Sequence, residues 1–138
     1  TVSSYIEAWR AFGVRSLITF YDAVLARLLI AAGDLEAARA RIETASALTA
    51  ETGMHFYDAE LLRIRAHTTD DAPSQRADLR AAIDLARKQG APIFEVRAAA
   101  DYFGMDPDEG RGALSDAVSH FPADSTWPEL ARARALLE

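Results

Sequence analysis

The chain of 138 residues fits a single domain, is half apolar and carries a formal charge of −6. That charge repels phosphate backbones and excludes nucleic-acid binding by this piece. The absence of cysteine removes disulfides and thiolate metal sites and fits a cytoplasmic protein. The longest purely apolar run, Leu28 to Ala32, falls far short of the ~20 residues of a membrane span.

The amino end, Thr1-Val2-Ser3-Ser4, is polar and not basic, unlike a signal peptide. Opening on Thr rather than Met points to a piece of a longer chain. Residues from about Ser4 to Phe12, with Tyr5, Ile6, Trp9 and Phe12 apolar, predict the end of a preceding repeat over 1–13. Between Gly13 and Gly33, the residues Leu17, Phe20, Tyr21, Val24, Leu28 and Ala32 follow the spacing of one helical face. Leu25, Leu29 and Ile30 widen that stripe, which predicts a helix covered on two sides. Asp34 then stands as an N-cap with Glu36 behind it. The helix it starts carries Leu35, Ala38, Ile42, Ala45 and Leu48 inward, with Arg39, Arg41 and Glu43 outward.

The plan then repeats. A helix from Phe56 to about His67 is followed by a polar break over Thr68 to Pro73. Its partner carries Leu79, Ala82, Ile83 and Ala86 and ends at Gly90. A degenerate unit over 91–122 begins with Ile93, Phe94, Val96 and Ala99, and its second helix shows Leu114, Ala117, Val118 and Phe121. Asp106 caps that second helix, with Pro107 in its first turn. A capping helix over 125–138 opens on Thr126-Trp127-Pro128-Glu129, the form of a capping box, and continues through Leu130, Ala133, Leu136 and Leu137. Gly13, Gly33, Gly53, Gly90, Gly104 and Gly110 punctuate these stretches as left-handed helix closers.

One segment recurs almost intact. Phe20-Tyr21-Asp22-Ala23-Val24-Leu25-Ala26-Arg27 returns 36 residues later as Phe56-Tyr57-Asp58-Ala59-Glu60-Leu61-Leu62-Arg63, with six of eight positions identical. A helical period in the mid-thirties marks a helical-hairpin repeat whose units bury their apolar faces only against neighbours. The expected fold is all-α: a tetratricopeptide-like solenoid of about eight helices, with repeat one over 14–53 and repeat two over 54–90. In the repeated segment, Phe20, Ala23, Phe56 and Ala59 read as hairpin packing, while Asp22 and Asp58 sit near helix starts, where a carboxylate is favourable. The functional reading places Tyr21, Tyr57, Phe94, Arg27, Arg63 and Arg97 on first helices, which line the inner surface of such solenoids. Tyr and Arg are the types most able to anchor a partner there.

No chemistry competes with that reading. His55, His67 and His120 are far apart and suggest no metal site. Asp106 to Gly110 echoes a calcium loop, but Ala117 stands where its closing Glu belongs. No phosphate loop or nucleophile elbow occurs, and Asp70-Asp71 reads as a turn rather than an acid/base pair. No catalytic residue, cofactor site or metal site is expected.

The stretch Thr52-Gly53-Met54-His55-Phe56-Tyr57-Asp58-Ala59-Glu60-Leu61-Leu62-Arg63 resembles the Thr-Gly-Glu-x-Phe-Tyr-(Asp/Glu)-Ala-Glu-Leu-x-Arg segment of a bacterial family. Those large, actinobacterial-type signalling proteins carry tetratricopeptide-like repeats behind an ATPase module. Some have an adenylate/guanylate cyclase domain in front, others a LuxR-type helix-turn-helix behind. Ala86-Arg87-Lys88-Gln89-Gly90-Ala91, Glu95-Val96-Arg97-Ala98-Ala99 and Leu130 to Leu137 continue the likeness, which covers roughly Gly13 to the end. Arg63 to Thr69 lacks the family's glycine, and Asp101 to Met105 lacks its Leu-Ala-x-Leu-Trp, which predicts a short third hairpin. The resemblance implies a non-catalytic protein-interaction or autoregulatory domain of a larger signal-transduction or transcriptional regulator. Its partner would be a protein or peptide, or other domains of the parent chain. A small-molecule sensor using the apolar face around Tyr21, Tyr57 and Phe94, or an oligomerisation spacer, are the alternatives.

Overall fold

Three aspartates and three glycines set the helix boundaries. In a computed structural model describing residues 1–11, 15 and 17–138, Asp34, Asp71 and Asp106 accept the amide hydrogens of Ala37, Ser74 and Glu109 at 3.1, 2.9 and 3.1 Å. Each supplies one of the bonds that a helix start leaves open. Gly33, Gly53 and Gly90 take positive φ of 82°, 72° and 63°, a conformation that an L side chain rarely adopts. The described helices are α1 (Val2–Ala11), α2 (Ile18–Ala31), α3 (Leu35–Thr52), α4 (Asp58–Ala66), α5 (Ala72–Gln89), α6 (Pro92–Met105), α7 (Pro107–Ser119) and α8 (Pro128–Leu137). Among the described residues there is no strand, and no helix is long and apolar enough to cross a membrane. Phe12 and Gly13, which the sequence places at the first boundary, lie outside the described residues.

Helices α2 and α3, α4 and α5, and α6 and α7 pair as consecutive hairpins, and α8 lies against both α6 and α7. The first helices also touch in series, α2 on α4, α4 on α6 and α6 on α8, so their exposed sides form one continuous face. The interiors between hairpins are built largely from alanine. Ala26, Ala38, Ala45, Ala82, Ala86, Ala99, Ala117 and Ala133 are fully buried, with Ile42, Ile64, Leu79, Leu114 and Leu130 filling the larger gaps. Small side chains let helix axes approach closely, and the loss of any added volume is felt at native packing density.

Several expectations are corrected. The buried stripe of α2 is Ile18, Thr19, Asp22, Ala23, Leu25 and Ala26. Leu17, Phe20 and Leu28, expected inside, are 54%, 39% and 53% exposed. The stripe is displaced because Asp22 is drawn inward by arginines on neighbouring helices. Phe20 and Phe56 therefore do not pack their hairpins, although Ala23 and Ala59 do. Arg41, expected outward, turns to Asp22 and Glu7. The Thr126 capping box does not form: α8 begins without a side-chain cap, and Glu129 instead accepts from Arg97 of α6 at 2.5 Å. The first helix of the third hairpin is not short, since α6 runs 14 residues against 9 for α4.

Gly104 and Gly110 are likewise helix-internal rather than helix closers. A Cβ on Gly110 would stand 2.5 Å from Cα of Phe103, whereas one on Gly112 would meet nothing within 4 Å. Gly110 is thus a point where the backbones of α6 and α7 approach too closely for a side chain. Gly110→Ala should destabilise the chain by ~1–3 kcal/mol through overpacking. Gly112→Ala should stabilise it by up to ~1 kcal/mol through helix propensity. Urea melts of the two variants check the contrast, and equal midpoints would refute the assigned contact.

Candidate functional site

The central helix of the first-helix face, α4, carries Glu60 and Arg63, three residues apart and therefore neighbours on one side. The Arg63 guanidinium forks onto the carboxylate, Nε donating to Oε2 at 2.9 Å and Nη2 to Oε1 at 2.7 Å. Its remaining nitrogen, Nη1, donates to Oδ2 of Asp101 on α6 at 2.6 Å. His67 Nε2 stands 2.8 Å from the same oxygen. Arg97, also on α6, lies 3.6 Å from Glu60 and donates to Glu129 on α8 at 2.5 Å. A line of alternating charges, Asp101–Arg63–Glu60–Arg97–Glu129, therefore ties α4, α6 and α8 together.

Burial shapes these charges. Glu60 is 1% exposed, and a carboxylate so placed is tolerable only because guanidiniums meet it. Burial opposes the charge on Arg63, but the bonds to Glu60 and Asp101 outweigh it and push its pKa further above the ordinary arginine range. Burial also opposes ionisation of Asp101. The His67 and Arg63 contacts more than offset this and hold it below the ordinary carboxylate value.

A cavity of about 220 Å³ opens on this line, with Arg27 of α2, Arg63 and Arg97, and Arg132 of α8 around it, beside Asp101 and Glu129. Arg27 and Arg132 are exposed and make no ion pair or hydrogen bond with the described residues. From α1 across the first helices of the hairpins runs a row of aromatic rings in edge-to-face contact. Trp9 meets Tyr21 at 4.9 Å between centroids, Tyr21 meets Phe20 at 5.3 Å, Phe20 meets Tyr57 at 5.8 Å, and Tyr57 meets Phe94 at 5.2 Å. Such pairs add roughly 0.5–1.5 kcal/mol each beyond their burial. Arg97 joins the two groups, its guanidinium carbon 5.8 Å from the Phe94 centroid.

All six residues singled out in the sequence fall on this face. Arg27, Arg63 and Arg97 line the cavity, while Tyr21, Tyr57 and Phe94 form the aromatic row. They are not equivalent: Arg63 is braced between Glu60 and Asp101, whereas Arg27 reaches into the cavity unbraced. Phe20, in the middle of the row, and Phe56, which meets Tyr57 from the side, are 39% and 51% exposed, although the sequence reading assigns both to the interior. Glu60, Asp101, Glu129 and Arg132 escaped that reading. Only the three-residue spacing of Glu60 and Arg63 could have flagged one of them.

The histidines each find one carboxylate: His55 with Asp58, His67 with Asp101 and His120 with Glu95, at 2.7, 2.8 and 3.3 Å. Among the described residues no group of three or more His, Cys, Asp or Glu side chains could hold a metal ion. Comparison of the chain with protein-family models, with curated proteins and with solved structures finds no match.

Because the folded pKa of Asp101 lies below its unfolded value, the group adds stability above the carboxylate range and loses it as pH falls through that lowered pKa. Asp101→Asn should lower stability by about 2 kcal/mol near neutrality, the typical worth of charged hydrogen bonds. The deficit should shrink as the pH falls below about 4. Thermal melts across pH check this; a deficit constant with pH would show that the carboxylate charge is not what matters.

Proposed function

We propose that the chain is a non-catalytic interaction or autoregulatory repeat domain of a bacterial signal-transduction or transcriptional regulator, working in the cytoplasm. Its first-helix face is the docking surface for a protein or peptide segment, from another protein or from elsewhere in its parent chain. The observation that carries this reading is the aromatic row beside the arginine cavity. Phe20 and Phe56 recur one repeat apart, remain exposed and are not consumed by the core. Exposed apolar surface flanked by charge marks contact sites, and aromatic rings with arginines are the side chains that dominate binding energy. The regulator context is supported by the likeness of Thr52 to Arg63, and of the segments after it, to the repeat region of signalling ATPases.

The test is selection of binders from a random-peptide display library, followed by affinity measurement on variants. Phe20→Ala with Phe56→Ala should weaken the selected peptides by roughly 2 kcal/mol or more, a factor of about 30. The urea midpoint should fall as well, because the double variant removes the ring pairs of Phe20 with Tyr21 and Tyr57 and of Phe56 with Tyr57, so affinities are compared where circular dichroism shows both proteins fully folded. Lys88→Glu, on the second helix α5, serves as the off-face control and should leave affinity unchanged. Peptides that bind the double alanine variant as tightly as the parent would place the docking surface elsewhere.

A further inference from the structure

We infer that the arginine cavity is a pocket for one acidic side chain of an extended peptide, whose aromatic or bulky aliphatic residue about three positions away lies on Phe20 and Tyr57. This rests on the docking face proposed above and names the chemistry of what docks there.

Charge is the first argument. Arg27, Arg63, Arg97 and Arg132 surround the cavity, against Glu60 beneath it and Asp101 and Glu129 on its wall. Four guanidiniums against three carboxylates leave one positive charge, on a chain whose total is −6. A single carboxylate balances that excess, whereas a phosphate dianion would overshoot it. The residues already in place show the mode of capture. Asp101 and Glu129 are each held by a cavity arginine, at 2.6 and 2.5 Å, and Arg27 and Arg132 offer guanidiniums without an occupant of their own.

Size and shape are the second. At about 220 Å³ the cavity is smaller than the roughly 300–1,000 Å³ of sites that enclose a whole small molecule. It suits the end of one side chain, with the rest of the ligand lying outside. The aromatic row supplies that outside surface. Phe20 and Arg27 are seven residues apart on α2, close to two full turns, so both project from one side of the helix. Seven residues rise about 10 Å along a helix, the span of about three residues of extended chain. The register between apolar and acidic residue follows from that match.

The experiment is fluorescence anisotropy of the intact chain with labelled Gly/Ser peptides carrying one Phe and one Glu at varied spacing, each paired with a Gln counterpart. At a spacing of about three, the Glu peptide should bind about tenfold or more tighter than its Gln partner. Arg27→Gln with Arg132→Gln should erase that preference, and circular dichroism should report an unchanged fold. Lys88→Gln should leave the preference intact. Equal binding of Glu and Gln peptides, or a preference that survives in the double glutamine variant, overturns the proposal. If such peptides still depend on Phe20 and Phe56, the docking face stands and only the acidic pocket falls; if no peptide depends on the face, both fall. A Glu preference that ignores spacing overturns the register. Inorganic phosphate that binds the parent chain when no peptide does would reassign the cavity to a free anion.

Discussion

Three buried carboxylates, Asp22, Glu60 and Glu95, stand between packed helices, and their need for cations constrains how those helices align. Asp22 of α2 is fully buried and receives Arg10 from α1 and Arg41 from α3. Glu60 of α4 receives Arg63 from its own helix and Arg97 from α6. Glu95 of α6 receives Arg87 from α5 at 2.5 Å and His120, just beyond α7, at 3.3 Å. An unpaired carboxylate in such places would cost several kcal/mol, so each arrangement that strands one is strongly disfavoured. The apolar interior around them is rich in alanine, and small side chains resist sliding of one helix along another only weakly. A carboxylate that must meet a guanidinium resists it strongly.

The pairing is not uniformly comfortable. Burial raises the Asp22 pKa above the ordinary value, and the bonds and charges of Arg10 and Arg41 only partly counter it. At Asp101 the balance goes the other way, because His67 and Arg63 reach it together and outweigh its burial. The difference separates two uses of the same chemistry. Asp22 tolerates its place because neighbouring helices hold it there, while Asp101 is a net gain once α4 and α6 have met. Arginine suits both uses, since its planar fork satisfies two oxygens and still leaves a nitrogen to reach a second partner.

Local signals made the fold legible. The stops at Gly33, Gly53 and Gly90, the starts at Asp34 and Asp106, and the inward faces of α3 and α5 all follow from residues within a turn of the feature they specify. The failures share a different cause. Asp22 is buried, Arg41 turned inward and Glu129 diverted from its cap by partners 12 to 32 positions away in sequence. Apolar periodicity cannot register a charged residue that a distant arginine pulls inward, so the stripe of α2 was drawn on the wrong side and Phe20 was placed in the core. Gly110 failed similarly: its small size answers to Phe103 on the adjoining helix, not to the end of its own. The site was half legible, because repetition exposed Tyr21, Tyr57, Arg27 and Arg63, while Arg132 and the three carboxylates around the cavity carry no repeat signal.

Helix α1 is attached differently from the rest. Among the described residues its backbone packs against α2 alone, and only Ile6 is buried from it. What holds it is the edge of Trp9 on Tyr21 and a small charge lattice, in which Arg10 and Arg41 share Asp22 and Glu7. Segments with few buried apolar contacts open at lower free energy than the body they belong to. The amides of α1 should therefore exchange with solvent through a local opening that leaves the hairpins folded. That opening strands the buried Asp22 carboxylate between fewer cations, so its equilibrium should shift with ionic strength and proton activity.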